Sequence, residues 1–124
     1  MKAEVLVICD PEFSEYKLLI ENLDRYLEPL IEFPTEICLH FDYDTKVVED
    51  IIDYARVRRF DFKASTQERT IYERESIDSI IQKYDCAIVF AEAHNHNTRV
   101  LTDGFRRKDF KFRLVNYLKS NTNN

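Results

Sequence analysis

The sequence predicts one α/β domain of the doubly wound, Rossmann-like kind, with a mainly parallel five-stranded sheet and helices on both faces. Three observations predict it. Short continuous apolar runs, VLVIC at 5–9 and CAIVF at 86–90, have the pattern of strands buried on both faces. Between such runs, apolar residues recur at three- and four-residue steps, the period of amphipathic helices. The two patterns alternate as β-α-β-α-β-α-β-α-β, which implies right-handed crossovers and a parallel sheet. A chain of 124 residues has room for one core, placed here at 1–118, with 119–124 expected as a frayed tail.

The elements follow in order. Pro11 ends the first strand. Tyr16, Leu19, Ile20, Leu23, Leu27 and Leu30 then mark a helix of about four turns, with Pro29 at its end and Pro34 holding the next linker extended. Thr35–Phe41 reads as the second strand. Asp44 or Thr45 can cap the second helix, whose buried stripe is Val47, Val48, Ile51, Ile52 and Ala55. A short strand is expected at Phe60–Lys63. The polar stretch Ser65–Arg74 reads as loop or early helical turn, before a third helix on Ile77, Ile80 and Ile81. After the strand at Cys86–Phe90, Val100, Leu101 and Phe105 indicate a fourth helix begun at Thr98. Phe110, Phe112 and Leu114 alternate with Lys111 and Arg113, which predicts a last strand at a sheet edge with one solvated face.

Hydrophobic residues make up 44% and charged residues 33%, an ordinary globular balance. Glycine is the exception: Gly104 stands alone in the chain, so turns must be built from Asp, Asn, Pro and Ser. No apolar run approaches the roughly 20 residues of a membrane span. The opening MKAEVLVICD lacks the basic start and cleavage site of a secretory leader, and Cys9, Cys38 and Cys86 lie in apolar runs as reduced thiols. A cytoplasmic protein with no membrane partner is expected.

Residues 1–54 hold 4 Lys/Arg against 14 Asp/Glu, while residues 55–124 hold 14 against 9. Such a split suits a polar partner surface or head-to-tail self-association, or else is a solvated acidic face. In open α/β sheets, ligands lie beyond the carboxyl ends of the strands, where strand order reverses. The loops expected there are Asp10-Pro11-Glu12, His40-Phe41-Asp42-Tyr43-Asp44 and Ala91 to Thr98. A phosphate cradle needs bare amides in close approach, which Gly allows. These loops carry no Gly and supply Asp10, Glu12, Asp42, Asp44 and Glu92 instead. Together with His40, Asn97 and Thr98, these acids are the candidate ligand-binding residues. No catalytic residue and no cofactor are assigned.

Over nearly its whole length the chain resembles the SLOG superfamily of Rossmann-like nucleotide-binding domains, in its YspA-like branch. VLVICDPEFSEYKLLIENLDRYL is similar to that branch's opening strand, Gly-Arg turn and Leu-Asp-rich helix. ICLHFDYDTKVVEDIIDYARVRRFDFKAS resembles its second strand, His-Gly-Gly-rich loop, Tyr-Ala helix and third strand. YDCAIVF and NHNTRVLTDGFRRKDFKFRLV resemble its fourth strand, Gly-Thr turn, last helix and final strand. The departures fall at ligand positions. Cys9 and Pro11 stand for the Gly-Arg pair, only His40 and FDYD remain of the second loop, and Asn97-Thr98 replaces Gly-Thr. Arg74 aligns loosely with the family's Arg-Asn motif. The resemblance implies a degenerate member of a nucleotide-binding family.

His94 and His96, with His40 and the neighbouring acids, are the residue types that bind zinc-class metals, although no recognised ligand spacing is present. The more ordinary reading is that they are polar loop residues without a metal. Cys9 has Asp10 and Glu12 beside it, the wrong electrostatics for a thiolate. The basic runs Arg56–Lys63 and Arg106–Arg113 interleave with phenylalanines, but a pI near 5.2 disfavours nucleic acid. The expected function is a non-catalytic binding or interaction protein, compatible with a phage-encoded accessory factor. It would engage a protein partner or a second copy, or sequester a nucleotide-derived small molecule. The alternatives are a divergent nucleotide-processing enzyme of the nucleoside phosphoribohydrolase kind, with Asp42, Asp44 or Glu92 as acid or base, and a metal-dependent hydrolase on the histidine rim.

Overall fold

The computed structural model describes residues 2–31, 36–66 and 76–117. Their elements are β1 (Lys2–Cys9), α1 (Tyr16–Ile31), β2 (Glu36–Asp42), α2 (Val48–Arg58), β3 (Asp61–Ser65), α3 (Ile77–Lys83), β4 (Cys86–Glu92), α4 (His96–Arg107) and β5 (Phe112–Tyr117). Thr35, the Pro34 linker, most of the polar stretch reaching Arg74 and the tail at 119–124 lie outside the described residues. The five strands form one all-parallel sheet in the order β3-β2-β1-β4-β5, the doubly wound, Rossmann-like arrangement expected from the alternation. No described helix is long and apolar enough to cross a membrane.

Strand periodicity divides the core in two. Val5, Val7 and Cys9 of β1, Leu39 and Phe41 of β2, and Ile88 and Phe90 of β4 face α1 and α2, meeting Leu19, Leu23, Leu27, Ile51 and Ala55. Leu6, Ile8, Ala87, Val89 and Ala91 point the other way, against Ile80 of α3 and Leu101 and Phe105 of α4. Both clusters are continuous with β1 and β4, so those two strands are buried on both faces. Their unbroken apolar runs follow from that position. On the α1 side, Asp24 Oδ1 accepts from the Tyr54 hydroxyl (2.8 Å) and from Arg58 (2.6 Å), clasping α1 to α2.

The scarcity of glycine is solved locally. Arg59 and Asp109 adopt the left-handed conformation, with φ of 61° and 57°. Each closes a Schellman motif: Phe60 N–H donates to Ala55 O (2.8 Å) and Arg59 N–H to Arg56 O (3.1 Å), and Phe110 and Asp109 repeat the pattern on Phe105 and Arg106 (2.9 and 3.2 Å). The lone glycine serves a different need. A Cβ on Gly104 would overlap Cδ1 of Ile77 and lie 3.1 Å from its Cγ1, so Gly104 sets the close approach of α4 to α3.

Several boundaries differ from those expected. The second helix begins at Val48 with Val47 as its cap residue and no side-chain cap, not with a cap at Asp44 or Thr45. Val47 is buried in the core, and that burial sets where the chain enters the helix. The fourth helix starts at His96, because Asn95 rather than Thr98 caps it, its Oδ1 accepting from Thr98 N–H (3.0 Å). The third strand is shifted to Asp61–Ser65. The last is an edge strand as expected, but it runs Phe112–Tyr117, because Phe110 belongs to the helix-closing motif. Its second face is not simply solvated, since Arg113 Nε donates to Asn22 Oδ1 on α1 (3.2 Å) and Val115 is buried.

Arg59→Gly removes the left-handed penalty at an exposed side chain and is expected to raise the unfolding free energy by about 1 kcal/mol, read as a higher urea midpoint at unchanged slope. Gly104→Ala is expected to change it by less than about 1 kcal/mol, because the cost of turning the Ile77 Cδ1 aside and the gain in helix propensity offset each other. In an Ile77→Ala background, itself destabilised by lost packing, the same Gly104→Ala change should cost nothing or stabilise, since the smaller side chain removes the overlap.

Candidate functional site

In this strand order the chain turns opposite ways from β1 and β4, and the crevice beyond their carboxyl ends is where such sheets hold ligands. Asp10 stands there and is buried. Its backbone N–H continues the ladder to Phe90 O (2.9 Å). Its carboxylate accepts from Glu92 N–H (2.6 Å) at Oδ2 and from the Asn95 amide (2.8 Å) at Oδ1, with the Tyr117 hydroxyl at a longer 3.5 Å. Asn95 also caps α4, so the first turn of that helix is linked through Asn95 to Asp10. A carboxylate of the chain's own thus stands in the crevice between β1 and β4, held by Glu92 N–H and the Asn95 side chain, while Asn95 and not Asp10 caps the free amide of the helix.

Below it the crevice is filled by an aromatic ring. Phe13 N–H donates to Asp10 O (3.0 Å), which folds the β1–α1 loop inward. The Phe13 ring is fully buried, stacked on Phe90 at 4.9 Å and tilted against Tyr117 at 5.0 Å. Burial pushes the Tyr117 hydroxyl well above its ordinary pKa, with the negative charge of Asp10 and its hydrogen bond adding to the effect. Burial likewise drives the Cys9 thiol far up, reinforced by Asp10 and Asp42, so Cys9 is a protonated core thiol. Phe13, Asn95 and Tyr117 are the components that sequence reasoning missed. Asn95 was legible as a cap residue three positions before Thr98; the other two have no local signal.

The remaining candidates disperse. Glu12 is exposed on the crevice lip, where its carboxylate pairs with Lys46 (2.9 Å) across to the β2–α2 turn. Asp44 is exposed in that turn. Glu92 ends β4 and meets Asp10 through its backbone. Thr98 is buried in the first turn of α4, and Asn97 is exposed beside it. His94 and His96 are exposed, and among the described residues neither belongs to a grouping of three ligand-type side chains. His40 is not on the rim, because β2 runs on to Asp42. It lies on the sheet face, paired in register with Leu6 and Lys63, and shares a cleft of about 110 Å³ with Asp42, Lys63, Ser65 and Tyr84. A second cleft, of about 260 Å³, lies beside α4 between Glu92, Asn95, Arg99, Asp103, Arg106 and Asn116.

Parallel strands with returning helices gather helix N-termini at one rim and C-termini at the other. Asp10, Glu12, Asp42, Asp44, Glu49, Asp50 and Glu92 fall at or near the carboxyl-end rim, whereas Arg56, Arg58, Arg59, Arg106, Arg107, Lys108 and Lys111 fall at the amino-end rim. The helix dipoles favour Glu49 and Asp50 in the first turn of α2 and the basic residues in the last turns of α2 and α4. Comparison of the chain with protein-family models, with curated proteins and with solved structures returned no match.

Removing the Asp10 carboxylate leaves two half-buried donors unsatisfied, so Asp10→Ala is expected to cost about 1–3 kcal/mol of stability by urea unfolding. Asn95→Ala should cost less, and the double variant less than the sum of the two, because both single changes break one shared hydrogen bond.

Proposed function

We propose that the chain is a non-catalytic binding protein on a degenerate, SLOG-like scaffold, and that its partner is a protein with a basic surface, a second copy of the chain included. The observation that carries this reading is the Asp10–Phe13 plug. The crevice that would accept a nucleotide is filled by the protein's own carboxylate and ring, each satisfied by neighbours. A nucleotide phosphate there would meet Asp10 and, nearby, Glu12 and Glu92, with repulsion of roughly a kcal/mol or more per close pair at surface dielectric.

The distribution of charge supports the choice of partner. An acidic carboxyl-end rim and a basic amino-end rim on one molecule are complementary to each other, which favours head-to-tail contact between copies as well as docking of another basic surface. The exposed tip residues Glu12 and Asp44 and the exposed Arg107 and Lys108 carry this complementarity without any role in the core.

Sedimentation velocity at rising salt, combined with equilibrium dialysis against ATP, NAD and ADP-ribose, tests the reading. Self-association or capture of a basic protein that weakens as salt shortens the Debye length from ~30 Å at 0.01 M to ~3 Å at 1 M is the expected result, with no nucleotide retained. Stoichiometric uptake of a nucleotide, or nucleotide turnover lost on Glu92→Gln, overturns it.

A further inference from the structure

We propose that Glu4, Cys38 and His40 form a binding site for one zinc-class transition-metal ion, on the sheet face away from α1 and α2. Alternation along β2 puts Cys38 and His40 on the same face, and the β1–β2 register sets Glu4 directly opposite Cys38. The Glu4 Oε1–His40 Nε2 distance is 2.6 Å, and a carboxylate oxygen, the Cys38 sulfur and an imidazole nitrogen all lie within 4.8 Å of one another. Tetrahedral zinc, with bonds of about 2.0–2.3 Å to such donors, separates its ligand atoms by roughly 3.3–3.7 Å. Small side-chain rotations reach that spacing.

A hydrogen-bonded Glu4–His40 pair alone would account for two of the three groups, but not for the thiol. Cys38 is fully buried and yet belongs to neither apolar cluster, whereas Cys9 and Cys86 both pack within the α1/α2 core. Its sulfur lies instead beside the Glu4–His40 pair. The site is graded in exposure: Cys38 is closed off, while the His40 and Glu4 side chains are 18% and 29% exposed, an approach from solvent that leaves the donors sheltered. The cleft of about 110 Å³ beside His40 has room for water as a fourth ligand. One sulfur, one nitrogen and one oxygen donor select zinc or cobalt over magnesium and calcium, which take oxygen ligands. This site is separate from the Asp10 crevice and does not depend on how that crevice is used.

The test is titration of the full chain, without a histidine tag and under reducing conditions, with Co²⁺ alone and then with competing Zn²⁺. The expected result is one ion per chain, intense visible bands of tetrahedral cobalt and a near-ultraviolet thiolate-to-cobalt band, all erased by Zn²⁺. Cys38→Ser should abolish the thiolate band, and His40→Gln should weaken binding by about 100-fold or more. The double change His94→Ala/His96→Ala should leave the spectrum intact. Absence of stoichiometric binding, a cobalt spectrum without the thiolate band in the unmodified chain, or loss of binding in the His94/His96 variant overturns the proposal. The unmodified chain's spectrum decides even if a substitution prevents folding.

Discussion

A carboxylate held almost entirely away from water persists only where donors replace the hydration it has lost. Asp10 meets that condition at the point where the sheet's winding reverses. It is hydrogen-bonded to the backbone of β4, to the cap of α4 and, more distantly, to the end of β5. Three segments that leave the sheet in different directions are tied by one side chain. The β1–α1 loop cannot open without exposing Phe13 and breaking its N–H bond to the Asp10 carbonyl, so the mouth of the crevice and the packing of the central strands are one structural problem.

This arrangement inverts the usual economy of the fold. In a nucleotide-binding sheet, glycines leave helix-end amides uncovered so that a ligand can supply the negative charge. Here the chain supplies its own charge, and glycine is not needed at the rim. The same independence from glycine recurs where α2 and α4 end. Arg59 and Asp109 accept left-handed backbone so that Phe60 and Phe110 can close the helices. The single glycine goes to the contact between α3 and α4, where a Cβ would displace the Ile77 side chain.

With the crevice filled, the chemistry-bearing side chains lie elsewhere. Acidic side chains gather near the crevice and basic ones at the carboxyl ends of α2 and α4, and the one grouping of sulfur, nitrogen and oxygen donors among the described residues sits on the sheet face between β1 and β2. The proposed partner surface and the proposed metal site are compatible uses of one scaffold because they share no residue.

Much of the fold was legible in the chain. Continuous apolar runs identified β1 and β4 as central, three- and four-residue spacing identified the helices, and their alternation determined a parallel sheet, because each of these signals is local in sequence. The burial of all three cysteines was legible for the same reason. What the sequence by itself determined about the site was negative: without glycine an ordinary phosphate cradle at the rim is disfavoured. What stands there instead was decided only by tertiary structure. Asp10 and Asn95 are 85 residues apart, and Phe13 and Tyr117 meet only across the finished sheet. His40 looked like a rim residue because strand ends are weakly marked in sequence. The register of β1 on β2 moved it inward to Glu4 and Cys38, since register is set by the packing of whole strands and not by any residue within them.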